Sequence, residues 1–280
     1  MPAIKASVRQ EVVTRAGEPQ TSPNSSWPEG FFIQLLGGFR LLKAGAPITL
    51  RPGGKSEHLV MVLALNQRRG LSTEELADMV WPGNDPLLAT QSVRSLIRWL
   101  HRRIGESPVG KRLISRLGGR YVLRVGDNVR LDVVEFESAV AEGDRDARRG
   151  DVGAAIASYE GATRAYAGEM VIESDVRQLV ERERLRALYL KILMRLADLR
   201  FSLADYQGAL SCASEMLQHD PCREDAYRLA MRCYVRLGER AQAFREYALC
   251  RKVLAAEFDT LPERETEMVF EQIRTAPDLC

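Results

Sequence analysis

Between Gln91 and Ile104 the chain spaces its polar side chains so that one helix face could read a nucleic acid. At about 100° per residue, Val93, Ile97, Leu100 and Ile104 form one narrow apolar stripe. Gln91, Ser95, Arg98 and Arg102 fall on the opposite side, with Arg94 flanking them. The stripe must turn inward, because apolar surface is driven out of water. The far face then carries the right forks. Arginine pairs bidentately with guanine, glutamine with adenine, and serine serves either bases or phosphates. A merely solvated charged face is the plain alternative. Such faces mix signs and form i,i+4 ion pairs, yet no acid lies between Gln91 and Arg103. Trp99 flanks the polar face and is expected to pack against the hairpin that follows.

That hairpin is RLISRLGGRYVLRV, two short strands about Gly118-Gly119, with Arg116 and Arg120 at its tip. Arginines so placed suit phosphate or the minor groove, where they set position more than they read sequence. Lys55, Ser72 and Thr73 sit at helix starts, where amides and short polar side chains can hold phosphate or simply cap the helix. Catalytic chemistry is not expected. His58, His101 and His219 lie in three separate segments, none with a serine, cysteine or carboxylate partner at usable spacing. Cys212, Cys222, Cys233, Cys250 and Cys280 show no C-x-x-C pairing and no histidine at metal spacing. They read as reduced thiols, small hydrophobes buried on helices. Neither a metal nor another cofactor is implied.

The elements needed to position these residues are legible. Residues 1–29 are rich in Ser, Pro, Glu and Gln without periodicity and read as a disordered tail. FFIQLLGGFRLLK and PITLR read as strands. KSEHLVMVLALNQRRG reads as a helix stopped by Gly70. Ser72-Thr73-Glu74-Glu75 is a capping box opening a second helix, which Pro82-Gly83 ends. Asp85-Pro86 starts a third helix running to Gly105. Strands, three helices and a closing hairpin within residues 30–130 form the winged-helix order. From Asp132 the pattern is amphipathic helix, and it repeats. Asp205-Tyr206 with Ala209-Leu210 recurs as Glu239-Arg240 with Ala243-Phe244, an offset of 34 residues, the tetratricopeptide period. An earlier copy begins at Asp151, and the surplus length before Asp205 is placed in an elongated helix between Asp175 and Leu203. The fold class is therefore mainly α: a winged helix-turn-helix (α+β) over 30–130, then an all-α tetratricopeptide-like repeat domain over 131–280.

Charge follows the same division. Residues 1–130 carry 19 Lys and Arg against 10 Asp and Glu, whereas residues 131–280 carry 21 against 28. A basic module beside an acidic half suits a polyanion partner for the first part. With 45% apolar and 28% charged residues the composition is that of a soluble globular chain. No apolar run approaches the ~20 residues of a membrane span, and the N-terminus lacks a secretory signal core. A cytoplasmic, nucleoid-associated protein without membrane partners is expected.

Several segments also resemble known families. LSTEELADMVWP, VRSLIRWLHRRIG and the hairpin ending in GGRYVL are similar to the OmpR-type winged helix. LDVVEFE at 131–137, AYAGE at 165–169, VERERLRALYLKILMRLAD, the run HDPCREDAYRLAMRCYVRLGERAQAFREY at 219–247 and LPERETE at 261–267 resemble the bacterial transcriptional activator domain. Together they resemble the Streptomyces antibiotic regulatory protein family across roughly residues 30–275. That resemblance implies an activator that binds promoter direct repeats in double-stranded DNA, often as side-by-side protomers, and contacts RNA polymerase. It also implies a short form. There is no G-x-x-x-x-G-K-[ST] motif, no phosphopeptide-binding domain is expected after the repeats, and 30 residues cannot hold a receiver domain. The competing reading is a tetratricopeptide-type peptide-binding scaffold with a nonspecific nucleic-acid-binding domain, which leaves the winged-helix pattern unexplained.

Overall fold

The computed structural model describes residues 30–171 and 176–275. The tail expected over 1–29, Asp175 and Cys280 lie outside these residues. Alternation turns Phe31 and Ile33 into the core and leaves Phe32 and Gln34 half-exposed, making β1 (Phe31–Gln34). β2 (Arg40–Lys43) folds back antiparallel, with Phe31 opposite Lys43. β3 (Ala46–Pro47) adds only two residues, so the expected PITLR strand is not formed. Pro47 has no N–H to continue a ladder, and the pairing stops there save for Ile48 N–H donating to the Leu41 carbonyl at 2.7 Å.

Helix α1 (Lys55–Leu65) ends five residues short of Gly70. Asn66 Nδ2 donates to the Val62 carbonyl at 2.9 Å, a local bond that competes with helical continuation. α2 (Thr73–Val80) opens with the anticipated box: Glu75 N–H donates to Ser72 Oγ, and Ser72 N–H donates to Glu75 Oε2. α3 (Pro86–Ile104) is capped by Asp85, whose carboxylate accepts from Leu88 N–H at 3.0 Å. β4 (Ile114–Leu117) and β5 (Arg120–Leu123) form the hairpin. β6 (Val129–Leu131), unread in the sequence, returns to lie parallel to β1 and completes the sheet order β3-β2-β1-β6.

The remaining elements are helices: α4 (Asp132–Arg149), α5 (Val152–Ala165), α6 (Val176–Ser202), α7 (Tyr206–His219), α8 (Glu224–Arg236), α9 (Arg240–Phe258) and α10 (Arg264–Thr275). Successive helices pack on one another through small residues. Ala155, Ala209 and Ala243, the repeated positions, are each fully buried. Asp151 and Asp205 cap α5 and α7 by accepting from Ala154 and Gly208 amides, while Glu239 stands at the start of α9 without a side-chain cap. α4 approaches α5 so closely at Gly143 that a Cβ there would sit 2.5 Å from the Tyr159 ring. Cys212, Cys233 and Cys250 are buried on helices as free thiols. Cys222 differs from expectation: it is half-buried in the turn between α7 and α8.

The two halves meet through backbone. Asp132, 4% exposed at the start of α4, accepts from the Leu35 and Leu36 amides at 2.8 and 2.7 Å. Gly37 N–H donates to the Glu169 carbonyl at 3.1 Å. Apolar side chains from β1 through α8 form one contiguous buried cluster.

Candidate nucleic-acid interface

α3 is fixed from below by its stripe. Val93, Ile97, Leu100 and Ile104 are at most 5% exposed, which aims Gln91, Arg94, Ser95, Arg98 and Arg102 outward. Arg98 Nη2 donates to Ser95 Oγ at 3.2 Å, one turn earlier on the same face. Ser95, Arg98 and Arg102 share a groove with Glu106 and Arg112 beyond the helix end. His101 pins α3 to the hairpin. Its Nε2 lies 3.1 Å from the Ile114 carbonyl and must carry the hydrogen, because a carbonyl only accepts. Burial lowers its pKa, so the ring is neutral at pH 7.

Ion pairing sorts the ten basic residues of 90–130 into two sets. Lys111 bonds Asp127, Arg112 pairs with Glu106 at 3.1 Å, Arg124 with Asp127 at 3.8 Å, and Arg130 bonds Glu135. Arg120 completes this set through Glu75 at 2.5 Å. Among the described residues, Arg94, Arg98, Arg102, Arg103 and Arg116 have no carboxylate within 4 Å. All five lie on α3 or the hairpin and all are exposed. Positive charge is therefore concentrated on one surface without close ion pairs, with Glu74 and Glu106 the acids nearby. Arg103, on the flank of the helix, belongs to this set although its position in the sequence did not place it on the reading face.

The hairpin turns on Gly118-Gly119, with φ of 55° and 81°. Both central residues are left-handed, the requirement of a tight two-residue turn that glycine meets without strain. Leu71 and Tyr121 exchange backbone hydrogen bonds of 2.9 and 2.7 Å, which tether the hairpin to the segment before α2. Arg116 stands 5.6 Å over the Tyr121 ring and donates to the Gly119 carbonyl. Glu74 lies near enough that Arg94 and Arg116 help lower its pKa, after hydrogen bonds from its own backbone and from Ser72.

Four of the expected contact residues also have roles within the fold, although Lys55 is exposed and Ser72 and Arg120 are half-exposed. Lys55 Nζ donates to the Val80 carbonyl at 2.8 Å, closing the C-terminus of α2. Ser72 is occupied as a cap, and Thr73 is 4% exposed. Arg120, beside the hairpin turn, donates to the Arg69 and Gly70 carbonyls at 3.1 and 3.2 Å as well as to Glu75. Trp99 stays 42% exposed rather than sealed against the hairpin. Gln91, Arg94, Ser95, Arg98, Arg102 and Arg116 remain open. Among the described residues no group of three or more His, Cys, Asp or Glu could hold a metal, and no helix is long and apolar enough to cross a membrane.

Residues 131–274, just over half of the chain, match the bacterial transcriptional activator domain. The chain belongs to that family. It is 25% identical over 253 residues to the regulatory protein AfsR of Streptomyces griseus, covering 88% of this chain and 24% of AfsR. It is 26% identical over 216 residues to the regulatory protein DnrI of Streptomyces peucetius, covering 74% of this chain and 79% of DnrI. This member thus spans about a quarter of one curated relative and most of the other. These similarities carry the likeness to the Streptomyces antibiotic regulatory proteins. Mycobacterium tuberculosis EmbR, solved in complex with a low-affinity phosphopeptide, superposes with a TM-score of 0.69. It shares 18% identity and covers 87% of this chain and 65% of EmbR, a likeness of fold.

Proposed function

We propose that this family member is a non-catalytic transcriptional activator that binds double-stranded DNA in a sequence-specific way. The observation carrying this reading is the set of five basic side chains without carboxylate partners among the described residues, gathered on α3 and the hairpin. A folded protein normally neutralises its surface charge by mixing signs, and a polyanion supplies what is missing here. On this reading the outer face of α3 enters the major groove, Gln91, Arg94, Ser95, Arg98 and Arg102 read base edges, and Arg116 holds phosphate. Residues 30–130 do the binding. Residues 131–280 carry the activating function, through contact with RNA polymerase and side-by-side protomers on promoter direct repeats, at the nucleoid.

Genomic footprinting followed by anisotropy titration tests this. A duplex taken from a footprinted promoter should bind at least ~10³-fold more tightly than its scrambled counterpart at physiological salt. Equal affinity for both would leave only a nonspecific polyanion binder. The isolated 30–130 fragment should still bind that duplex yet fail to activate a reporter.

A further inference from the structure

A cleft of about 460 Å³ opens between the end of α1, the middle of α2 and the first turn of α6. That size falls within the roughly 300–1,000 Å³ of small-molecule sites. Val62, Leu65 and Met79 give it apolar surface, and Gln178 lines it from α6. Gln178 is 2% exposed, and neither its Oε1 nor its Nε2 meets a hydrogen-bond partner among the described residues. Buried carboxamides are nearly always bonded, because leaving one unmet is costly. The surrounding turn sharpens the anomaly. Val176, Leu179 and Val180 are 71%, 42% and 63% exposed, so this turn points its amide inward and its apolar side chains outward. Packing alone favours the reverse.

We propose that this cleft binds an uncharged small molecule carrying an amide-like edge (an amide, a lactam or a nucleobase) on an apolar body. A carboxamide presents one acceptor and one donor side by side, and its full complement is another donor–acceptor pair. A carboxylate ligand would satisfy Nε2 alone and leave Oε1 facing a negative charge. The lining opposes anions further, with Glu75, Asp78 and Glu181 against Arg69 and Arg177. The amide is shielded from water as it stands, so engagement involves a side-chain rotation toward the cleft. Glu75 also accepts from Arg120, which places an occupant beside the contact that seats the hairpin.

The test uses the full chain with benzamide and benzoate, which share one body and differ in that edge. Ligand-observed saturation-transfer NMR should register benzamide with a Kd on the order of millimolar, and benzoate at least about tenfold more weakly. Gln178→Leu should keep its circular dichroism, raise the melting temperature by removing an unmet amide, and weaken benzamide about tenfold or more. Gln178→Glu, nearly isosteric, keeps acceptor capacity without the donor and should also lose benzamide, should the leucine variant not fold. Equal benzamide and benzoate binding overturns the proposal. So does benzamide binding unchanged in the glutamine variants, or none up to about 10 mM. A lower melting temperature in a folded Gln178→Leu would show the amide already bonded, and would overturn it as well.

Discussion

Arg120 Nη2 sits 2.5 Å from Glu75 Oε2, joining the second hairpin strand to the first turn of α2 across 45 residues of sequence. The same carboxylate accepts from Ser72 N–H through Oε2 and from Arg69 through Oε1, so one acid closes a helix cap and seats the hairpin. The bond from Ser72 chiefly, then Arg120 and Arg69, lowers its pKa. Both partners are about a third exposed, which screens the ion pair. Arg120→Ala also strips a donor from the Gly70 carbonyl, and should destabilise the fold by about 1–2 kcal/mol in urea titration. A variant as stable as the parent would mean that the backbone bonds of Leu71 and Tyr121 seat the hairpin alone.

Five uncompensated basic side chains set a scale for salt dependence. If each, whether on a base edge or a phosphate, displaces one counterion from the duplex, log Kobs against log salt should fall with a slope of about −4.5, from −0.9 per charge. Any slope steeper than about −3 agrees with most of the five lying against the DNA. A slope near zero would remove duplex DNA as the partner.

Features governed by neighbours in the chain were legible. The α3 stripe, the Asp85-Pro86 start, the Ser72–Glu75 box and the Gly118-Gly119 turn each depend on residues within a few positions, and each formed as read. Contacts closed by distant chain were not. β6 pairs with β1 some hundred residues earlier, and nothing in its three residues announces a partner. The ion pair of Arg120 with Glu75 is invisible from the hairpin because the acid lies in another element, and the bond from Lys55 is invisible because its acceptor is a carbonyl, which every residue has. Asn66 sits inside an otherwise helical run, and its side chain competes for a helical carbonyl. Gln178 carried no signal at all, since the fault in its bonding exists only once α6 meets α1 and α2.

Asp132 ties stability to pH. Three backbone amides favour its carboxylate, yet burial outweighs them and pushes its pKa up to about 6 from 3.8. A raised folded pKa means that the folded state binds this proton more tightly than the unfolded chain. Its contribution is fully present below about 4 and lost as pH rises through about 6, on the order of 1–3 kcal/mol. Relative to Asp132→Asn, the parent should gain stability as pH falls from 7 to about 4.5. Urea melts at several pH values would measure that gap. A parent stability, measured relative to Asp132→Asn, that stays flat or falls toward acid would show that the three amides win over burial.

On the proposed reading, base reading and phosphate holding should separate at Arg98 and Arg116. Arg98 projects from the middle of the α3 face, turned away from the buried Val93 stripe, with Ser95 Oγ steadying its guanidinium. Arg116 stands over Tyr121 on the hairpin with no acid within 4 Å among the described residues. Arg98→Ala should cost about 1–3 kcal/mol on the cognate duplex and flatten preference at one or two base pairs. Arg116→Ala should weaken cognate and scrambled duplexes alike and reduce the salt slope by about one. Neither side chain is buried, so thermal stability should stay within about 0.5 kcal/mol of the parent in both. Competition titrations with the two duplexes distinguish the outcomes. Should Arg98→Ala weaken both duplexes equally, the α3 face is an electrostatic grip, and specificity then rests on Gln91, Arg94, Ser95 or the shape of the DNA.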